Sequence, residues 1–166
     1  GSAEYGARRS VPALVADGGG YKVLAAGRAV LQGVPGAGRL LQPNGTPVAR
    51  VVALPDAGQS PEMLAGLANG VDGQAQFARR LAENGCQVLI PTLIDRRDTW
   101  SGSPASRMTN QPHREFIYRM AFEMGRHIAG YEVQKTLAAV DWFERENRGS
   151  RKPIAVAGYG EGGLIA

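Results

Sequence analysis

The chain has 166 residues, 43% of them hydrophobic and 20% charged, a balance that suits one globular domain with a packed core and excludes a disordered or fibrous chain. Its 23 glycines and 10 prolines follow no Gly-X-Y period, and its longest apolar runs, 48–55 and 88–93, fall far short of the ~20 residues of a membrane-spanning helix. The net charge of +4 is spread over short pairs such as Arg8-Arg9, Arg79-Arg80, Arg96-Arg97 and Arg151-Lys152, so neither nucleic acid nor a membrane is expected as a partner, and the single cysteine, Cys86, can form no internal disulfide.

Residues 1–20 show no sustained period and end in Gly18-Gly19-Gly20; they read as an irregular lead-in to one domain over 21–166. The opening Gly1-Ser2 has the pattern of a cleaved tag, so a leader would already be gone and the compartment, exported or cytoplasmic, stays open. Strand-compatible residues over 21–31 and 39–42 predict two antiparallel edge strands, followed by the turn signal Asn44-Gly45 between Pro43 and Pro47. The run 49–54, stopped by Pro55, predicts a strand buried on both faces. Phe77 and Leu81, with Ala78 and Ala82 beside them, predict a helix over 74–84 that Gly85 ends. An apolar strand over 86–90 follows at once, closed by Pro91, so strand, helix and strand form a right-handed parallel crossover. The polar stretch 96–112 reads as a long loop at the exit of that strand, where such sheets keep their sites.

A short helix is predicted over 114–124, with Phe116, Tyr118, Met120, Phe122 and Met124 in the core or under a lid. The strongest helical signal is 131–147, where Val133, Leu137, Val140 and Phe143 form the apolar stripe and Gly149 is the stop. A third buried strand over 153–157 runs into the glycine cluster 158–163 and the start of a helix at 164–166. The expected fold class is α/β, a mostly parallel sheet flanked by helices.

The glycine cluster fits two motifs. As G-x-G-x-x-G it uses Gly158, Gly160 and Gly163 to let a backbone approach a pyrophosphate. That dinucleotide reading also needs a second strand with an acidic residue about 20 positions on, and the sequence stops three residues after Gly163, so no cofactor is named. As G-x-nucleophile-x-G it is Gly158-Tyr159-Gly160-Glu161-Gly162, a sharp strand-to-helix turn whose flanking glycines avoid collisions with the neighbouring strand and helix. Its centre is glycine, which has no atom to attack a carbonyl. His113 reads as loop surface, His127 as the tie between two helices through a backbone hydrogen bond, and Cys86 as a small buried hydrophobe; no spacing of these residues predicts a metal site.

The loop Leu54-Pro55-Asp56-Ala57-Gly58-Gln59 and the stretch from Ile154 to Gly163 resemble the amino-terminal half of an α/β hydrolase. Within that fold, Phe116-Ile117-Tyr118-Arg119, Gly130 to Lys135 and Ala138-Ala139-Val140-Asp141-Trp142 are similar to the acetylxylan esterase and dienelactone hydrolase group of bacterial proteins. The resemblance implies ester hydrolysis on a small-molecule or carbohydrate ester. It places Gly160 at the nucleophile's position and makes the backbone N–H groups of Glu161 and Ala57 the oxyanion donors. Asp56 follows Pro55 where that group has a His-Gly pair; Asp95, Arg97, Asp98 and Trp100, at the exit of the preceding strand, either line a pocket or are ordinary loop residues, and Tyr159 would stand with them at the pocket. The acid and histidine of the group follow the elbow and would lie beyond Ala166, in a further segment of the same protein. Without a nucleophile the chain is expected to be inactive, whether Gly160 is engineered, natural in a non-catalytic relative, or part of a fragment. The alternative is a non-catalytic module on the same fold that binds a carbohydrate or a partner.

Overall fold

The computed structural model describes residues 13–31, 34–94 and 113–166, with side chains for all of these except 28–31 and 34–36. Alternation at Tyr21, Lys22 and Val23, buried, exposed, buried, sets the first meander. Strand β2 (Tyr21–Leu31) pairs antiparallel with β3 (Val34–Pro43), Tyr21 opposite Pro43 and Leu24 opposite Leu40. A strand absent from the expected lead-in, β1 (Leu14–Asp17), lies antiparallel along the outer side of β2. Strand β3 in turn pairs antiparallel with β5 (Gln87–Pro91). Thus β2 and β3 are interior strands, not the expected edge pair, and β3 extends well ahead of Arg39 through Gly36, Ala37 and Gly38, whose small residues give little strand signal.

The nearly uniform apolar runs form the parallel part. Strand β4 (Arg50–Leu54) runs parallel to β5 on one side and to β6 (Ile154–Gly158) on the other, giving the order β1-β2-β3-β5-β4-β6. The sheet is therefore mixed, three antiparallel pairings followed by two parallel ones, and helices flank it as expected.

Every residue of β4 is buried, and its alternation divides the core. Val51 and Ala53 join Tyr21, Val23, Leu41, Val88 and Ile90 on one face, under Leu64 of α1 (Pro61–Leu64) and Ala78 and Ala82 of α2 (Phe77–Glu83). Val52 and Leu54 face the other way, onto Ala139 and Phe143 of α4 (Ile128–Glu146). Arg50 begins β4 and is itself buried; its guanidinium donates to the carbonyls of Phe143 at 3.4 Å and Glu146 at 3.3 Å, beside the Phe143 ring.

Two helical faces differ from expectation. The buried stripe of α4 is Ile128, Glu132, Thr136, Ala139 and Phe143, while Val133 and Leu137 are 39% and 51% exposed. The stripe is rotated because Glu132, a charged residue, is drawn inside by an ion pair described below, and the Thr136 hydroxyl donates to its carbonyl at 3.0 Å. On α3 (His113–Glu123) the buried residue is Ala121; Met120, Phe122 and the following Met124 are exposed rather than in a core, and Tyr118 stacks on Phe122 and meets His127 edge-on. A 3-10 turn, Asn147–Gly149, extends α4 to the expected stop, and α5 (Glu161–Ile165) closes the described chain. Among the described residues no helix is long and apolar enough to cross a membrane.

Candidate functional site

Strands β4 and β6 run parallel and end level, Leu54 opposite Gly158, so the loops that leave them lie side by side at the carboxyl edge of the sheet. The Tyr159 N–H donates to the Leu54 carbonyl at 3.4 Å, and Gly160 then takes φ 56 and ψ −123 before α5 begins. That positive φ is a conformation that side-chain-bearing residues rarely adopt, and it is the strained corner a nucleophile elbow needs. The flanking glycines let backbone rest on backbone: a Cβ at Gly158 would overlap the Gly162 carbonyl, and one at Gly162 would overlap the carbonyls of Leu54 and Pro55.

The loop after β4 is tied into a turn by hydrogen bonds between Asp56 and Gln59, N–H to carbonyl at 3.0 Å and Asp56 N–H to Gln59 Oε1 at 3.1 Å. From this turn the Asp56 carboxylate reaches the elbow. Its Oδ1 accepts from the N–H of Ala57 at 2.8 Å and from the N–H of Glu161, 105 residues away, also at 2.8 Å. The two N–H groups named from sequence as oxyanion donors thus converge on one oxygen, and that oxygen belongs to Asp56. A negative charge is well placed there, since the first N–H of α5 points at it. The same carboxylate is what a Cβ at Gly160 would meet first.

A second cluster, joined to the elbow through Glu161, was not read from sequence. Arg114, at the start of α3, grips Glu132 with both nitrogens, at 2.6 and 3.2 Å, and also pairs with Glu161. It donates to the Ile94 carbonyl at 3.2 Å, and the Ile94 N–H returns a hydrogen bond to Glu132. Burial works against the Arg114 charge, but the hydrogen bonds and charges of Glu132 and Glu161 outweigh it and hold the guanidinium above its ordinary range. Lys135, three residues after Glu132, donates to the Thr92 carbonyl at 3.2 Å; burial lowers its pKa despite the Glu132 charge. The position of Glu132 on the face of Ile128 and Ala139 was readable from helical spacing. Its partner was not, being 18 residues away on another helix.

The structure brings Gly160, Asp56, Ala57 and Glu161 together, with Tyr159 beside them and exposed. Asp95, Arg97, Asp98 and Trp100 lie outside the described residues. His127 caps α4, its Nδ1 accepting from the Ala129 N–H at 3.2 Å. His113 opens α3 instead of lying on a loop surface, and its Nδ1 is buried. Cys86 is packed in the core, where burial pushes its thiol pKa up. Among the described residues no group of His, Cys, Asp and Glu has the arrangement of a metal site.

The profile of the dienelactone hydrolase family matches residues 38–166. Similar solved structures include a candidate acetyl xylan esterase from Bacteroides fragilis, with 18% identity, a TM-score of 0.69, and coverage of 93% of this chain and 43% of that one. A dienelactone hydrolase from Anabaena variabilis shares 18% identity with a TM-score of 0.54, over 89% of this chain and 56% of that one. An acetyl xylan esterase from a Paenibacillus species shares 14% with a TM-score of 0.57, over 93% and 47%. At these identities the likeness is one of fold, and the chain spans about half the length of the structures it matches. No curated protein matches it.

Proposed function

The chain belongs to the dienelactone hydrolase family, and from that premise we propose that it is a carboxylic-ester hydrolase scaffold of the acetyl esterase type that does not turn its ester over. One observation carries the reading: the centre of the elbow is Gly160, held at φ 56 with no side chain. Covalent ester hydrolysis on this fold needs a hydroxyl, thiol or carboxylate at that corner to attack the acyl carbon, while backbone N–H groups take up the developing oxyanion. Here the N–H groups of Ala57 and Glu161, which both donate to Asp56 Oδ1, would be the donors, and the attacking atom is absent. Tyr159, together with Asp95, Arg97, Asp98 and Trp100, would contact a small-molecule or carbohydrate ester.

The test is release of nitrophenol from nitrophenyl acetate, and of acetate from acetylated xylo-oligosaccharides, by the protein with Gly160 in place. The expected rate is that of buffer. Turnover that rises with protein concentration and survives repurification would overturn the reading, because it would require a nucleophile elsewhere.

The exposed aromatic ring of Tyr159 beside the elbow favours a second reading, a module that holds a carbohydrate ester without hydrolysing it. A ligand that binds only the folded chain raises its melting temperature by mass action. Acetylated xylo-oligosaccharides should then stabilise the protein and lose the effect with Tyr159→Ala; no shift at saturating sugar counts against binding. The Asp56 carboxylate stands at the amino end of α5, where the dinucleotide reading would put a pyrophosphate.

A further inference from the structure

We propose that Asp56 is the resident occupant of the elbow: its carboxylate holds both backbone donors and fills the space of a side chain at position 160, so the site is closed from within and serine at 160 cannot open it alone. The inference rests on the reading above, in which Gly160 stands at the nucleophile's place. Three observations converge on it. The N–H groups of Ala57 and Glu161 each lie 2.8 Å from the same Asp56 oxygen. A Cβ built on Gly160 would overlap Oδ1, Cγ and Oδ2 of that carboxylate, so the two side chains compete for one volume. The backbone that presents Asp56 is fixed in its turn by Gln59, and the residue that offers the second N–H is anchored through its own carboxylate to Arg114.

Charge decides the competition. An ionised carboxylate accepts hydrogen bonds more strongly than a neutral ester carbonyl. The Asp56 carboxylate is also already in place, whereas a substrate must give up translational freedom to arrive. An ester entering this elbow would have to displace a tethered anion from both donors. Loss of the side chain at 160 and occupation by Asp56 are therefore one arrangement, an autoinhibitory contact within the fold.

The test is a double-mutant cycle on the whole chain: Gly160→Ser, Asp56→Ala and the two combined, read by melting temperature and by amide hydrogen exchange. The backbone strain at a positive φ is common to both serine variants and cancels in the cycle. Serine should lower the melting temperature more when Asp56 is present than when it is alanine, by a few degrees or more for a chain of this size. If Gly160→Ser alone does not fold, the proposal requires that adding Asp56→Ala restore folding. In Asp56→Ala the amides of Ala57 and Glu161 should exchange at least about tenfold faster than in the native chain. Equal losses in the two backgrounds, failure of the double variant to recover, or unchanged exchange at both amides would overturn the proposal. The cycle measures no turnover, so its result is distinct from that of the ester assay.

Discussion

A methyl group added at Gly162 would meet the carbonyl oxygens of Leu54 and Pro55, backbone atoms at the end of β4 that cannot rotate away. Gly162→Ala should cost about 1–3 kcal/mol in urea denaturation through forced overpacking. Gly130, in the first turn of α4 with open space around it, is the matched control, and Gly130→Ala should cost nothing and stabilise by up to about 0.5 kcal/mol, because alanine is the better helix former. Cys86 carries a prediction of another kind. Its ordinary pKa is 9.0 and burial raises it, so above that pH the unfolded chain binds fewer protons than the folded one. Stability from this thiol is full below pH 9.0 and is lost as pH rises through the folded value. Lys135 acts in the opposite sense, since burial lowers its pKa from 10.5 and the penalty on its charge fades as pH climbs. Comparing native protein with Cys86→Ala between about pH 8 and about pH 10 isolates the thiol; the native chain should show the steeper fall in urea midpoint. The burial of Cys86 beside an apolar strand was legible in sequence. The contact of Asp56 with the elbow was not, because it joins two loops 105 residues apart.

Among the elements, α3, α4 and the elbow are joined by one guanidinium. Glu132 is fully buried and Arg114 satisfies both of its oxygens. Arg114→Ala takes the two-pronged partner from that buried carboxylate and leaves it the Ile94 N–H, and should cost about 3–5 kcal/mol in urea denaturation. Adding Glu132→Gln should recover part of the loss, because the buried charge goes with it. Arg114→Lys should fall short of the native chain, since an ammonium cannot repeat the two-pronged grip. The apolar strands β4, β5 and β6 were legible to within about a residue, each a β-rich run with β4 and β5 closed at or just before a proline. The inward face of α4 was misread by one residue, because apolar spacing ranked Val133 and Leu137 above a glutamate whose partner lies on another helix. Strand β1 and the first half of β3 were missed for want of alternation in short or glycine-rich segments.

At the scale of the whole molecule, the parallel strands β5 and β4 are the most enclosed, with β4 flanked on both sides and covered on both faces, while β1 hangs on β2 alone with mostly exposed residues. Amide exchange should therefore be slowest in β4 and β5 and fastest in β1 among the strands; equal protection in β1 would mean that the edge is held by something other than its backbone ladder. The layered α/β architecture was legible because alternation in β4 supplies apolar residues to two faces at once. Alternation that serves both faces equally leaves an ambiguity, however, since Val51 to Leu54 would be as content one step along the sheet in either direction. Arg50 removes it. Its guanidinium reaches the two carbonyls at the end of α4 only when Arg50 sits opposite Gln87 and Ile154. A slip of two residues would carry it about 7 Å away and strand a cation in the apolar layer. One charged residue at the head of an otherwise featureless strand thus works as an alignment key, fixing which end of β4 meets Gly158 and with it where the turn at Asp56 emerges.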